Sequence, residues 1–109
     1  MKRLLIILPI LSLLLAGCYK EPYADAIITP NPAYVGVDID FINYSTNTTM
    51  VEWDFGDGYF SNDFDVQHYY EYPDTYNVTL KAYGKKNDVD VVVFDLKVIG
   101  SSVTIIVKD

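Results

Sequence analysis

Past an apolar leader, hydrophobic and polar residues alternate along the chain. Val37, Ile39 and Phe41 are separated by Asp38 and Asp40, the period-two pattern of a strand with one buried face. Val51, Trp53 and Phe55 alternate with Glu52 and Asp54 in the same way, and Tyr76, Val78, Leu80 and Ala82 with Asn77, Thr79 and Lys81. Residues 89–99 and 103–107 are apolar and rich in β-branched side chains, and Gly100-Ser101-Ser102 between them reads as the turn of a hairpin. Turn formers also cluster at Pro30-Asn31-Pro32, at residues 43–47, at Gly56-Asp57-Gly58, at Tyr72-Pro73-Asp74 and at residues 84–87. No stretch after Cys18 carries a sustained helical stripe. Short strands at this spacing predict an all-β sandwich of about seven or eight strands.

The leader has a different logic. Lys2 and Arg3 precede an apolar run over residues 4–15, interrupted by Pro9 and Ser12. That run is shorter than the ~20 residues of a membrane-spanning helix and suits the core of a signal peptide. Leu15-Ala16-Gly17-Cys18 resembles the bacterial lipobox, which implies cleavage before Cys18 and lipid attachment to its sulfur. Cys18 is also the single cysteine, so no disulfide forms within the chain. The expected organisation is a signal peptide over residues 1–17, a lipid-anchored flexible tether over 18–25, and a sandwich over 26–109. The implied location is the bacterial cell envelope, with the domain close to a membrane, an outer-membrane surface position included. Lys20-Glu21 is faintly similar to the export signals of surface lipoproteins in Bacteroidetes-type bacteria.

Charge narrows the partners. The full chain carries a formal net charge of −7, and removing Lys2 and Arg3 with the leader takes it to −9. Such a domain repels phosphate backbones and anionic headgroups, which argues against nucleic acid and leaves the lipid on Cys18 as the contact with the membrane.

Three blocks of residues identify a family. Trp53-Asp54-Phe55-Gly56-Asp57-Gly58 with Ser61 resembles the W-D-F-G-D-G-x-x-S signature of the PKD (polycystic kidney disease) domain. His68, Tyr70, Pro73, Tyr76, Val78 and Leu80 are similar to its H-x-Y-x-x-P-G-x-Y-x-V-x-L segment, with Asp74 where the family has glycine. Ile39, Phe41, Asn43 and Ser45 resemble its upstream strand and turn. The resemblance implies an immunoglobulin-like sandwich and a non-catalytic role in adhesion, spacing or polysaccharide contact. No larger domain accompanies it here, so a spacer role is not expected.

Each motif residue has a physical reason to stand where it does. Trp53 supplies bulk for a core between two sheets. Gly56 and Gly58 permit positive φ at a reversal, and the short carboxylates of Asp54 and Asp57 suit turn N–H groups. Asp74, in place of glycine, is expected to tolerate left-handed geometry at a small cost. Tyr76, opening a strand after a turn, fits a hydroxyl that bonds back to nearby backbone.

Candidate chemistry is sparse. His68 is the only histidine, and no nucleophile elbow accompanies it, so no catalytic residue is expected. Asp54, Asp57, Asn62, Asp63 and Asp65 cluster without the EF-hand spacing, which favours turn capping over a metal site; no metal and no cofactor is expected. Tyr59, Phe60, Phe64, Tyr69, Tyr70 and Tyr72 form an aromatic stretch that alternation cannot bury entirely. Tyr59, Phe60, Phe64, Tyr69 and Tyr72 are therefore the candidate binding surface for glycan or protein. The alternative is an accessory subunit of an envelope complex, pairing its C-terminal strand (residues 103–107) with a partner sheet.

Overall fold

Alternation resolves into eight strands in the computed structural model, which describes residues 18–100. They are β1 (Ala26–Thr29), β2 (Ala33–Tyr34), β3 (Ile39–Asn43), β4 (Met50–Asp54), β5 (Phe60–Ser61), β6 (Val66–His68), β7 (Asp74–Tyr83) and β8 (Val89–Ile99). One sheet has the order β1-β3-β6, the other β2-β8-β7-β4-β5. Every pairing is antiparallel except β2 with β8. The chain changes sheets between β1 and β2 through Pro30-Asn31-Pro32, where both X-Pro bonds are cis. The signal-peptide reading of residues 1–17, and the second strand of the C-terminal hairpin at 103–107, lie outside the described residues.

The two sheets close on one core. Ile39 and Phe41 from β3 meet Val51 and Trp53 from β4, Val78 and Leu80 from β7, and Leu96 and Val98 from β8, all buried. Phe41 stands edge-on to Trp53, with centroids 5.5 Å apart, and to Phe55, at 4.9 Å. The Trp53 indole N–H, which would be costly to bury unpaired, donates to the Phe64 carbonyl at 3.2 Å. Truncating any of these large side chains to alanine carries a cost of about 3–5 kcal/mol.

Three local expectations change. Val37 is exposed, because the strand begins only at Ile39. Gly36, at φ 73°, and a bond from its N–H to the Tyr70 carbonyl (2.8 Å) turn the chain just before it. Asp74 does not adopt left-handed geometry. It is already the first residue of β7, and its carboxylate accepts the Thr75 N–H at 2.7 Å; among the described residues the positive-φ positions other than glycine are Asn47 and Asn87.

The third change is the stretch expected as a flexible tether, which packs against the domain. Pro22 and Ala24 are buried, and Tyr23 exchanges backbone hydrogen bonds of 3.0 Å with Thr46. Ala24 N–H donates to Asp90, the Tyr19 hydroxyl donates to Asp88, and Lys86 lies over the Tyr19 ring. Period-two burial thus begins at Pro22 and runs through Ala24 into Ala26.

Candidate binding groove

The turn after β4 builds one wall of a groove. Asp54 accepts the Gly56 N–H (3.0 Å) and Asp57 accepts the Tyr59 N–H (3.1 Å), two successive side-chain-capped turns. Gly56 sits at φ 83° with its α-carbon packed on Asn77, where a β-carbon would lie 2.6 Å from the Asn77 carbonyl oxygen. Glycine is required there twice over, by conformation and by space. This geometry places Asp57 and Tyr59 at the mouth.

The opposite wall follows β6. The His68 ring stacks on Phe55 (4.1 Å, 12°) and its Nε2 meets Asp57 Oδ2 at 2.7 Å, tying β6 to the turn. Tyr70, the next inward position, is buried. Its hydroxyl donates to the Phe55 carbonyl at 2.8 Å and its ring stacks on Tyr76 at 4.2 Å. Tyr76 in turn donates to the Tyr72 carbonyl at 2.6 Å. Burial, and then the nearby Asp57, Tyr76 and Asp54, pushes the Tyr70 phenol well above its ordinary value. The Tyr76 phenol is raised as well, by desolvation and then by Asp74 and Asp57.

Between these walls lies an open groove of about 320 Å³, lined by Asp57, Tyr59, His68, Tyr69, Glu71, Tyr72 and Tyr76. Tyr59, Tyr69 and Tyr72 are 67%, 49% and 71% exposed, so three ring faces are available to a ligand. Of the five aromatic residues taken as a candidate surface, the structure gathers these three. Phe60 and Phe64 are exposed but do not line the groove. Phe60 pairs with Asp54 and so shares its outward side of the five-stranded sheet. Phe64 lies beyond β5, where its backbone holds Trp53.

Glu71 and Tyr76 join the lining unforeseen. The signal for Glu71 was the alternation Tyr69-Tyr70-Glu71, with Tyr70 inward and its neighbours outward. The remaining members of the candidate acidic cluster disperse: Asp65 caps the Asn43 N–H at 2.9 Å, and the amide of Asn62 donates to the Val51 carbonyl. Among the described residues no three His, Cys, Asp or Glu side chains converge to hold a metal. The Ser61 hydroxyl accepts the Asp63 N–H, while His68 is engaged by Asp57.

The far end of the domain is chemically different. Cys18, Tyr19, Lys20, Asn47, Thr48, Thr49 and Lys85 surround a second depression of about 360 Å³. Cys18 is exposed there. Lys85 stands two residues beyond the end of β7, whereas Tyr76 is the third residue of that strand and Tyr72 precedes it. Ten strand residues at about 3.4 Å each put the groove and Cys18 at opposite poles, ~30 Å apart.

A model of the PKD domain matches residues 20–97. Among solved structures, carbohydrate-binding modules of the β-sandwich superfamily superpose with a TM-score of 0.69 at 24% identity, over 75% of this chain and 36% of that one. The chain therefore spans about a third of that relative. The first PKD domain of Vibrio anguillarum Epp gives 0.65 at 21% identity, covering 75% of this chain and 98% of that one. The first PKD domain of the Vibrio cholerae metalloprotease PrtV gives 0.61 at 25%, covering 72% and 98%. No curated protein sequence matches the chain.

Proposed function

This chain belongs to the PKD-domain family, and from that premise we propose that it is a non-catalytic binding module, tethered to the bacterial cell envelope through lipid on Cys18 and contacting glycan through its aromatic groove. The observation that carries the reading is the clustering of three exposed tyrosines, Tyr59, Tyr69 and Tyr72, in one groove at the pole opposite Cys18. Flat ring faces stack on the C–H faces of sugars, and carboxylates beside them accept hydroxyl protons. An anchor at one pole leaves the other pole facing outward. Resemblance in fold to carbohydrate-binding modules agrees with this use of the sandwich.

The test is a glycan array probed with the full chain and with its Tyr59→Ala and Tyr72→Ala variants. The reading expects binding by the parent chain and its loss in both variants; equal signals for all three would refute it. Mass spectrometry of the mature N-terminus tests the anchor, which requires a diacylglycerol-modified Cys18 at the first position.

A second reading, an accessory subunit of an envelope complex, is favoured by a separate feature. Val89, Val91 and Val93 are exposed along the outer face of β8, on the side away from the core. Pull-down from envelope membranes separates the two readings, since the accessory role alone requires a stoichiometric protein partner.

A further inference from the structure

We propose that the groove selects glycans bearing free amino groups, unacetylated hexosamine units, over neutral sugars, and excludes acidic ones. The inference rests on the glycan reading above and adds the charge of the ligand. Its basis is the polarity of the lining. Glu71 contributes an exposed carboxylate and Asp57 a second one, whose oxygens already accept the Tyr59 N–H and meet His68, and neither lysine nor arginine lines the groove. The one basic side chain present, His68, is already bonded to Asp57 at 2.7 Å.

The hydrogen-bonding groups lean the same way. The Tyr76 hydroxyl gives its proton to the Tyr72 carbonyl, so toward the groove it offers only acceptor lone pairs. The exposed Tyr59, Tyr69 and Tyr72 hydroxyls can donate or accept, the fixed charge of the lining comes from its carboxylates, and tyrosine faces carry the negative side of the ring quadrupole. The five lysines of the described residues stand elsewhere. Lys20 and Lys85 border the opposite depression, Lys86 covers Tyr19, Lys81 reaches toward Glu52, and Lys97 lies on β8. On a chain of net charge −7 the groove is a site of negative potential with its countercharge remote. An ammonium group gains from this field and a carboxylate or sulfate is repelled by it.

The shape favours a sugar over the side chain of a basic peptide as the carrier of that ammonium. A cage for an isolated cation encloses it with buried rings, whereas Tyr59 and Tyr72 are about two-thirds exposed and form an open platform. Such a surface is covered by a flat pyranose whose amine reaches the carboxylates at the rim. Glu71, exposed beside Tyr72, is positioned to take it.

The experiment is calorimetric titration of the full chain with three soluble oligosaccharides of equal length: a glucosamine oligomer with free, protonated amines, its fully N-acetylated counterpart, and a galacturonic-acid oligomer. The expected order is free amine tightest by about fivefold over acetylated, from one cation–π contact and one exposed ion pair, with no binding of the uronate. The advantage, read as the ratio of the two affinities within one preparation, is expected to shrink between about 50 mM and about 0.5 M salt and to shrink likewise in Glu71→Gln, which removes the ion pair and keeps the rings. Equal affinity for the free-amine and acetylated oligomers overturns the inference and leaves the glycan reading standing. Tight uronate binding also overturns it. If no sugar binds, or a lysine oligopeptide binds and no sugar does, the inference and the glycan reading fall together.

Discussion

At the Asp74 end of β7 the sandwich presents tyrosines and carboxylates; at the Tyr83 end it presents lysines, a buried glycine and the docked N-terminal segment. Both ends hold tyrosine, and the difference between them lies in what the rings do. At the groove end, Tyr70 and Tyr76 are struts: each donates to a backbone carbonyl, and they stack on one another. That framework leaves Tyr59, Tyr69 and Tyr72 standing outward on a fixed base. At the Cys18 end, Tyr19 is a fastener. It bonds to Asp88 and lies beneath Lys86, and the Asp88 bond and then desolvation push its phenol up to about 12. One end leaves three rings exposed, the other uses its ring to hold a segment of the same chain against the sandwich.

The largest expected effect falls on the framework of the groove. Gly56→Ala combines a positive-φ penalty with a 2.6 Å approach to the Asn77 carbonyl, for a loss of ~3 kcal/mol. Gly58→Ala, at φ 97° but with nothing within 4 Å of a β-carbon, carries the conformational penalty alone, ~1 kcal/mol. Chemical denaturation of the two variants side by side is the measurement. Equal losses would show that the contact with β7 does not hold the turn.

Tyr70→Phe tests a strut without creating a cavity. It deprives the Phe55 carbonyl of a buried donor and is expected to lose about 1–2 kcal/mol. The same phenol sets an alkaline limit. Its folded pKa is raised above the unfolded value of 10.0, so its contribution to stability is complete below pH 10 and declines as pH rises beyond it toward the folded value. Thermal melting followed upward from about pH 9 is expected to fall steeply in the parent chain and more gently in Tyr70→Phe. Parallel slopes would assign the alkaline sensitivity elsewhere.

The Cys18 end has its own counterpart. At Gly84 a β-carbon would stand 2.9 Å from Pro22 Cδ and 3.3 Å from the Tyr19 hydroxyl, so Gly84→Ala pushes on the docked segment rather than on the core. The expected loss is ~1 kcal/mol, accompanied by faster amide exchange at Tyr23 and Ala24 and no change at Val78 or Leu80. Unchanged exchange at Tyr23 would mean that the segment does not depend on this contact.

How much of this could be read from the sequence differs between the ends. Period two gave the inward faces of β3, β4 and β7, because each of those strands has five or more residues over which alternation is visible; β8 showed only as an apolar, β-branched run, because valines stand on its exposed side as well as its inner one. The docked segment was hidden: among the described residues Pro22 and Ala24 are the only buried positions before β1, and they sit among Lys20, Glu21 and Asp25. Val37 continued an apolar alternation that the turn at Gly36 interrupts. In the groove, aromatic excess marked the stretch from which three exposed rings come together but could not sort it. Tyr59 and Phe60 are neighbours, so strand geometry must divide them, and the division depends on the register of a two-residue strand, Asp54 opposite Phe60. Tyr70 and Tyr72 share a residue type and have opposite roles, one holding the Phe55 carbonyl inside and the other lending only its backbone to Tyr76.

That division gives the smallest effect on stability. Tyr72→Ala removes a ring that is 71% exposed, and its carbonyl, the part engaged by Tyr76, survives the substitution. The expected change in unfolding free energy is within about 0.5 kcal/mol, against the ~1–2 kcal/mol of Tyr70→Phe two positions away. Glycan binding is expected to respond in reverse, lost in Tyr72→Ala and retained in Tyr70→Phe. Calorimetric binding and denaturation of the same two preparations decide the matter. If Tyr72→Ala were the more destabilised and still bound, the outward rings would be struts as well, and the groove end would differ from the Cys18 end in composition only.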